Sequence, residues 1–189
     1  SSNGEYKEAK HTTPQAPELQ HVLKTIKDEA HIKNVAMEVS SHALVQNRVG
    51  FCEFNCAVLT NLTQDHLDYH ITMERYFNAK AMLFERLKQG DVAIINNDDS
   101  YAEKFKSVLK EGVKLYTYGV KKESTISASD ISFSPKGVSF ICKTPEQKYN
   151  VHLSMNGMFS VYNALAALTV AYAMGLDMTN AIKTLEPLK

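Results

Sequence analysis

Cysteine is scarce in this chain of 189 residues: Cys52, Cys56 and Cys142 form an odd set without a C-x-x-C pair. That argues against a disulfide framework and against a zinc knuckle, and a reducing cytoplasmic setting is expected. Charge of one sign is lacking as well, with 21 Lys and Arg against 21 Asp and Glu. No basic field exists to hold a nucleic acid backbone or an anionic membrane surface, so neither is expected as a partner. No apolar run approaches the ~20 residues that span a bilayer. Residues 1–10 are polar and charged where a signal peptide needs an apolar core, and read as a tail or an expression remnant. There is no internal repeat and no low-complexity linker. Nor is there a G-x-x-x-x-G-K-[ST] loop, whose backbone amides and lysine would cradle nucleotide phosphates.

What is present is a chain 44% hydrophobic, long enough to bury a core in one domain. Leu19, Val22, Leu23 and Ile26 recur at helical spacing over residues 17–30. The run 34–40 (NVAMEVS) that follows is short, apolar and β-branched, the pattern of a buried strand. Residues 57–62 (AVLTNL) and 91–96 (DVAIIN) repeat that pattern. Between them, Met73, Tyr76, Phe77, Leu83, Phe84 and Leu87 share a broad helical face, with Gly90 placed to stop the helix and Asp99 or Ser100 placed to cap the next. Such alternation predicts an α/β fold, a mostly parallel sheet flanked by helices.

From about residue 113 to 153 the pattern changes to short strands broken by the turns SPKG (134–137) and TPEQ (144–147). Val138, Phe140 and Cys142 alternate with Ser139 and Ile141, which predicts antiparallel hairpins in a small β-rich annex. Two helices close the chain, one over roughly 160–174 with Gly175 behind it, the other opened by Thr179.

Three predicted strands run into polar clusters, and ligands of open parallel sheets bind beyond the carboxyl ends of strands. The clusters are residues 38–42 (EVSSH), 61–70 (NLTQDHLDYH) and 96–99 (NNDD). A strand carrying Glu38 among Ala36, Met37 and Val39 must solvate that charge through a cation or a basic partner, or through a plain salt bridge. The segment DHLDYH holds enough donors for a metal, although Leu67 after His66 excludes the zinc-protease box; a surface turn with capping aspartates is the alternative. Lys80, between Ala79 and Ala81, reads either as a snorkelling surface lysine or as an amine that takes up carbon dioxide to become an N6-carboxylated ligand of a hard cation.

Taken in order, Thr12-Thr13-Pro14, MEVSSHAL (37–44) with Arg48, TNLTQDHLDYH (60–70), AKAMLF (79–84) and NGMFSVYNALAA (156–167) resemble the central domain of the Mur ligase family. The resemblance covers residues 11–189 and is strongest to the branch that adds the third stem-peptide residue to UDP-N-acetylmuramoyl-L-alanyl-D-glutamate. It implies a P-loop-like domain whose first strand and phosphate loop are not in the chain, truncated further at the uridine-binding and carboxy-terminal domains. The fragment is then expected to be inactive alone and to self-associate through its sheet edge.

The resemblance also implies roles. Thr12, Thr13, Ser40 and Arg48 become contacts to the UDP-muramoyl peptide; Glu38, His66 and Lys80, as a carbamate, hold Mg²⁺ and serve catalysis; Asn61, Phe159, Ser160 and Asn163 bind ATP, the last three near its adenine. The incoming amino acid is meso-diaminopimelate or L-lysine, a choice left open. Ser160 stands where the family usually has Asn, and Ile71 where it often has Gly. Another Mur ligase, folylpolyglutamate synthetase, a metal-dependent phosphohydrolase and a non-catalytic binding domain are the alternatives.

Overall fold

The computed structural model describes residues 12–29, 32, 34–63 and 71–188. They fall into two compact units, one from Ser1–Glu53 and His66–Leu83, the other from Phe54–Asp65 and Phe84–Lys189.

The first unit holds α1 (Ala16–Glu29), α2 (Ser41–Val45) and most of α3 (Met73–Glu85). Helix α1 forms where the periodicity places it. The run 34–40 does not become the buried strand expected of it: it carries no strand ladder, Val35 is half exposed, and Asn34 and Ala36 on either side are exposed. An apolar β-branched run becomes a strand only beside another strand that satisfies its N–H and C=O groups. Among the described residues none pairs with it. Glu38 is consequently exposed, and water solvates the charge that a buried strand would have had to pair.

Helix α3 ends at Glu85 and not at Gly90. The Lys88 amide donates to the Asp91 carboxylate at 2.8 Å, and the Gly90 amide donates to the Gly112 carbonyl at 2.9 Å, so Gly90 belongs to a turn beyond the helix. Two residues before α3, Ile71 has φ +67°, in the left-handed region. A Cβ in that region crowds the following carbonyl and costs about 1–2 kcal/mol, and a branched Cβ is worse placed than most.

The second unit is built on one six-stranded sheet in chain order, β1 (Cys56–Leu59), β2 (Val92–Asn96), β3 (Lys114–Gly119), β4 (Ile126–Ser134), β5 (Gly137–Lys143) and β6 (Lys148–Leu153). Strands β1 to β4 pair in parallel, β4 to β6 antiparallel. The β-rich annex therefore shares the sheet: β3 lies in the parallel half, and the two hairpins extend it through β4. Every residue of β2 is buried, as suits a central parallel strand. In β5 the expected alternation holds, with Val138, Phe140 and Cys142 buried against Ser139 and Ile141.

One face of this sheet is covered by α5 (Met158–Ala173), apolar nearly all round, and by α6 (Met178–Leu185). Leu165 and Leu168 of α5 join Ile94, Tyr118, Val138 and Phe140 of the sheet in the main core. A short helix, α4 (Ala102–Ser107), follows β2, and its Phe105 meets Phe84 at 5.1 Å between ring centroids. Neither cap follows the sequence expectation fully. The Asp99 carboxylate accepts the Tyr101 amide at 2.8 Å, just ahead of α4, and Asp177, one residue before α6, accepts the Asn180 amide at 2.7 Å where Thr179 was expected. Asp is the stronger cap because its carboxylate reaches the free amides without a rotamer penalty.

Burial raises the Cys56 thiol to about 11 and the Cys142 thiol to about 12, so both are protonated at neutral pH. No helix among the described residues is long and apolar enough to cross a membrane.

Candidate functional site

In the first unit the sequence candidates Glu38, Ser40 and Arg48 come together around Thr13. Thr13 is fully buried, and its Oγ1 donates to the Glu38 carbonyl at 3.0 Å while accepting from the Ser40 amide at 3.0 Å. A hydroxyl can do both because it carries one donor and two lone pairs. The Ser40 Oγ in turn caps α2 by accepting from the Ala43 amide at 3.2 Å. Arg48 Nη1 donates to the Thr13 carbonyl at 3.0 Å, and its Nε and Nη2 both reach the Gln46 side-chain oxygen, at 2.9 and 2.6 Å.

These bonds sort the four residues by what they can offer a ligand. Thr13 holds two pieces of backbone together and faces inward, whereas Thr12 beside it is exposed. Arg48 is half exposed, and its guanidinium is fixed in place by neutral oxygens. A planar cation oriented in this way matches a carboxylate or a phosphate.

Glu38 offers an exposed carboxylate, a hard oxygen donor of the kind Mg²⁺ takes. Lys80 lies half buried on α3 with its Nζ 5.3 Å from the centre of the Tyr76 ring. As an ammonium it cannot ligate a metal; as a carbamate it would supply oxygens. His66 lies outside the described residues, among which no group of three or more His, Cys, Asp or Glu side chains is arranged to hold a metal.

In the second unit the carboxyl ends of β1, β2 and β3 are tied into one platform. Buried Asn96 donates from Nδ2 to the Thr60 carbonyl at 2.8 Å, and Asp99 accepts the Leu62 amide at 2.7 Å, joining the loop after β1 to the loop after β2. The Asn97 side chain donates to the Glu123 carbonyl at 2.6 Å, and buried Tyr118 donates its hydroxyl to the Leu59 carbonyl at 3.0 Å. Burial and the nearby Asp99 charge hold the Tyr118 phenol well above its ordinary pKa, so it stays a donor. Asn61 stands exposed on this platform, with its Oδ1 accepting from Thr63.

Helix α5 is tied to this platform where the Tyr162 hydroxyl donates to Asp98 at 2.8 Å. Phe159 is 66% exposed, and Asn163, one helical turn later on the same face, is exposed too. Ser160 is turned the other way: it is buried, and its hydroxyl donates to the Asn156 carbonyl at 2.9 Å. It secures the helix start, because its face of α5 is the core face, and so does not share the surface of Phe159 and Asn163. Tyr162 and Tyr118 went unnoticed in the sequence, although Tyr162 sits next to Asn163; an isolated tyrosine in an apolar helix gives no hint of a polar partner.

A family model described as the Mur ligase middle domain matches residues 1–171. The chain belongs to the Mur ligase family. It is 40% identical over 183 residues to the UDP-N-acetylmuramoyl-L-alanyl-D-glutamate--2,6-diaminopimelate ligase of Geobacillus thermodenitrificans, covering 94% of this chain and 37% of that one. The enzyme of the same description from Caldanaerobacter subterraneus is 42% identical over 175 residues, covering 93% of this chain and 35% of the other. A solved structure of a ligase of that description superposes with a TM-score of 0.80 at 32% identity, over 90% of this chain and 36% of the other. A MurF ligase from Thermotoga maritima, solved in complex with ADP, shares the fold with a TM-score of 0.60 at 20% identity, over 71% and 30%. The chain thus spans somewhat over a third of the length of the diaminopimelate ligases it matches.

Proposed function

We propose that the chain is the middle part of an ATP-dependent ligase that joins 2,6-diaminopimelate to UDP-N-acetylmuramoyl-L-alanyl-D-glutamate. The cluster of Thr13, Ser40 and Arg48 carries this reading: hydrogen bonds to the Thr13 carbonyl and the Gln46 side-chain oxygen, both neutral, hold a half-exposed guanidinium, an arrangement suited to an anionic substrate group. The names of the most similar relatives support diaminopimelate over lysine.

The reaction transfers the γ-phosphoryl group of ATP to a carboxylate oxygen of the substrate, releasing ADP. The amine of the incoming amino acid then attacks the acyl carbon, an amide bond forms and inorganic phosphate leaves. Two anions must first be brought together, so the work is mainly electrostatic. Arg48 and Thr12 hold the UDP-muramoyl peptide, with Ser40 and Thr13 fixing the loop beneath them. Phe159 and Asn163 receive the adenine, and Asn61 meets the nucleotide from the loop after β1. Glu38, with His66, would hold Mg²⁺, to which a carboxylated Lys80 would add oxygen ligands; bound there, the ion offsets negative charge between phosphate and carboxylate.

Calorimetric titration with UDP-N-acetylmuramoyl-L-alanyl-D-glutamate tests the reading. Arg48→Ala is expected to weaken binding roughly 10- to 100-fold, because a charge-assisted pair is lost, and Arg48→Lys to recover only part of it. The titration is run on this chain and on one extended to the length of its relatives. Absence of binding in both would sink the ligase reading.

A further inference from the structure

Asp98 accepts more hydrogen bonds than its position in a loop after β2 requires. Its carboxylate takes the amides of Val120 at 2.6 Å, Lys121 at 3.0 Å and Lys122 at 2.8 Å, and the hydroxyl of Tyr162 at 2.8 Å. Three successive amides converging on one point form an anion-binding nest, occupied here by the protein's own carboxylate. Burial alone would raise the Asp98 pKa, but these donors outweigh it and hold the group below the ordinary carboxylate range. The partner phenol is pushed up to about 12 by burial and by this hydrogen bond, so the pair keeps its donor and acceptor roles across neutral pH.

Tyr162 lies between the two residues assigned to the base, three positions after Phe159 and one before Asn163. Those two are exposed, so packing does little to fix them. Helix α5 starts after Gly157 without a side-chain cap, and the Ser160 hydroxyl ties its first turn only to the preceding Asn156 carbonyl. The bond from Tyr162 to Asp98 is therefore a direct tie from the first turns of α5 to the loops after β2 and β3.

We propose that Asp98 is a positioning residue for the nucleotide base: through Tyr162 it fixes the polar side of the first turns of α5, and thereby where Phe159 stacks and where the Asn163 amide meets the base edge. This rests on the nucleotide reading given above. A misplacement of about 1 Å is enough to lose a directional hydrogen bond, so base discrimination should be the property that suffers.

The test is titration of the chain with ADP and with GDP, for the parent and for Asp98→Asn, Tyr162→Phe and Asn163→Ala. The parent is expected to prefer ADP. Tyr162→Phe and Asp98→Asn are each expected to weaken ADP roughly tenfold while leaving GDP nearly unchanged, and Tyr162→Phe should add nothing in the Asn163→Ala background. Tyr162→Phe removes one oxygen and leaves the nest intact, so it remains informative even where Asp98→Asn does not fold. Folded variants that keep the parent's preference, or that lose both nucleotides equally, would overturn the inference and leave the nucleotide reading standing. The same titrations are run on a chain extended to the length of its relatives, and a parent that binds neither nucleotide at millimolar concentration at either length sinks the nucleotide reading itself.

Discussion

Replacing Gly137 by alanine is expected to cost the sheet at least about 3 kcal/mol, a fall in melting temperature of roughly 10 °C. Gly137 opens β5 with φ +132°, a conformation that side-chain-bearing residues scarcely adopt. A Cβ there would stand 1.8 Å from the Leu153 carbonyl oxygen and 2.9 Å from its carbon. Both are backbone atoms at the end of β6, so no rotamer change can make room. The contact is relieved only if β6 moves off β5, which unpairs Val138 from Leu153 and opens the core beneath α5. Denaturation of Gly137→Ala followed by circular dichroism checks this. An unchanged midpoint would mean that the close approach of residue 137 to residue 153 does not exist in solution.

The second large effect is expected in the first unit, from Thr13→Val. The substitution keeps the shape and removes the hydroxyl, leaving the Glu38 carbonyl and the Ser40 amide without the partner they share. Thr13 is fully buried while the two groups it joins are only partly so, and the two lost bonds together cost about 1–3 kcal/mol. The loss should fall on residues 12–15 and 38–48, seen as faster amide exchange there, while β4 to β6 keep their protection. Binding of the UDP-muramoyl peptide should fall with it, since Arg48 is anchored on the Thr13 carbonyl. Thr13→Ser restores the hydroxyl and should restore most of both. Uniform loss of protection across the chain would contradict a local role for this hydroxyl.

Much of the fold was legible in the residues because local periodicity and burial agree. Helix α1, the β2 strand and the alternation in β5 each bury a face that the pattern marks as apolar. The run 34–40 defeated the same reasoning, since a strand is made by its neighbour and a single segment carries no record of what pairs with it. The hairpins were legible from their turns, but their continuity with the parallel strands was not: β4 joins β3 through only Tyr118 with Ile126 and Gly119 with Ser127. At the site, motif order pointed to Thr13, Ser40 and Arg48, yet which of them faces inward depends on hydrogen bonds between residues some 25–35 positions apart. The pairing of Asp98 with Tyr162, 64 positions apart, left no local pattern at all.

The left-handed backbone of Ile71 has a consequence for how much stability the chain leaves unused. A glycine there would relieve the branched side chain of its clash, at the smaller cost of a more flexible unfolded chain. Ile71→Gly is expected to gain roughly 0.5–1 kcal/mol, a rise of about 1–4 °C in a scanning calorimeter, and a fall would show that the side chain contributes more than its backbone strain costs. Ile71 is 69% exposed, so little packing is given up in the exchange. Stability unrealised at one surface position becomes available, once the glycine is in place, to offset a harmful substitution elsewhere.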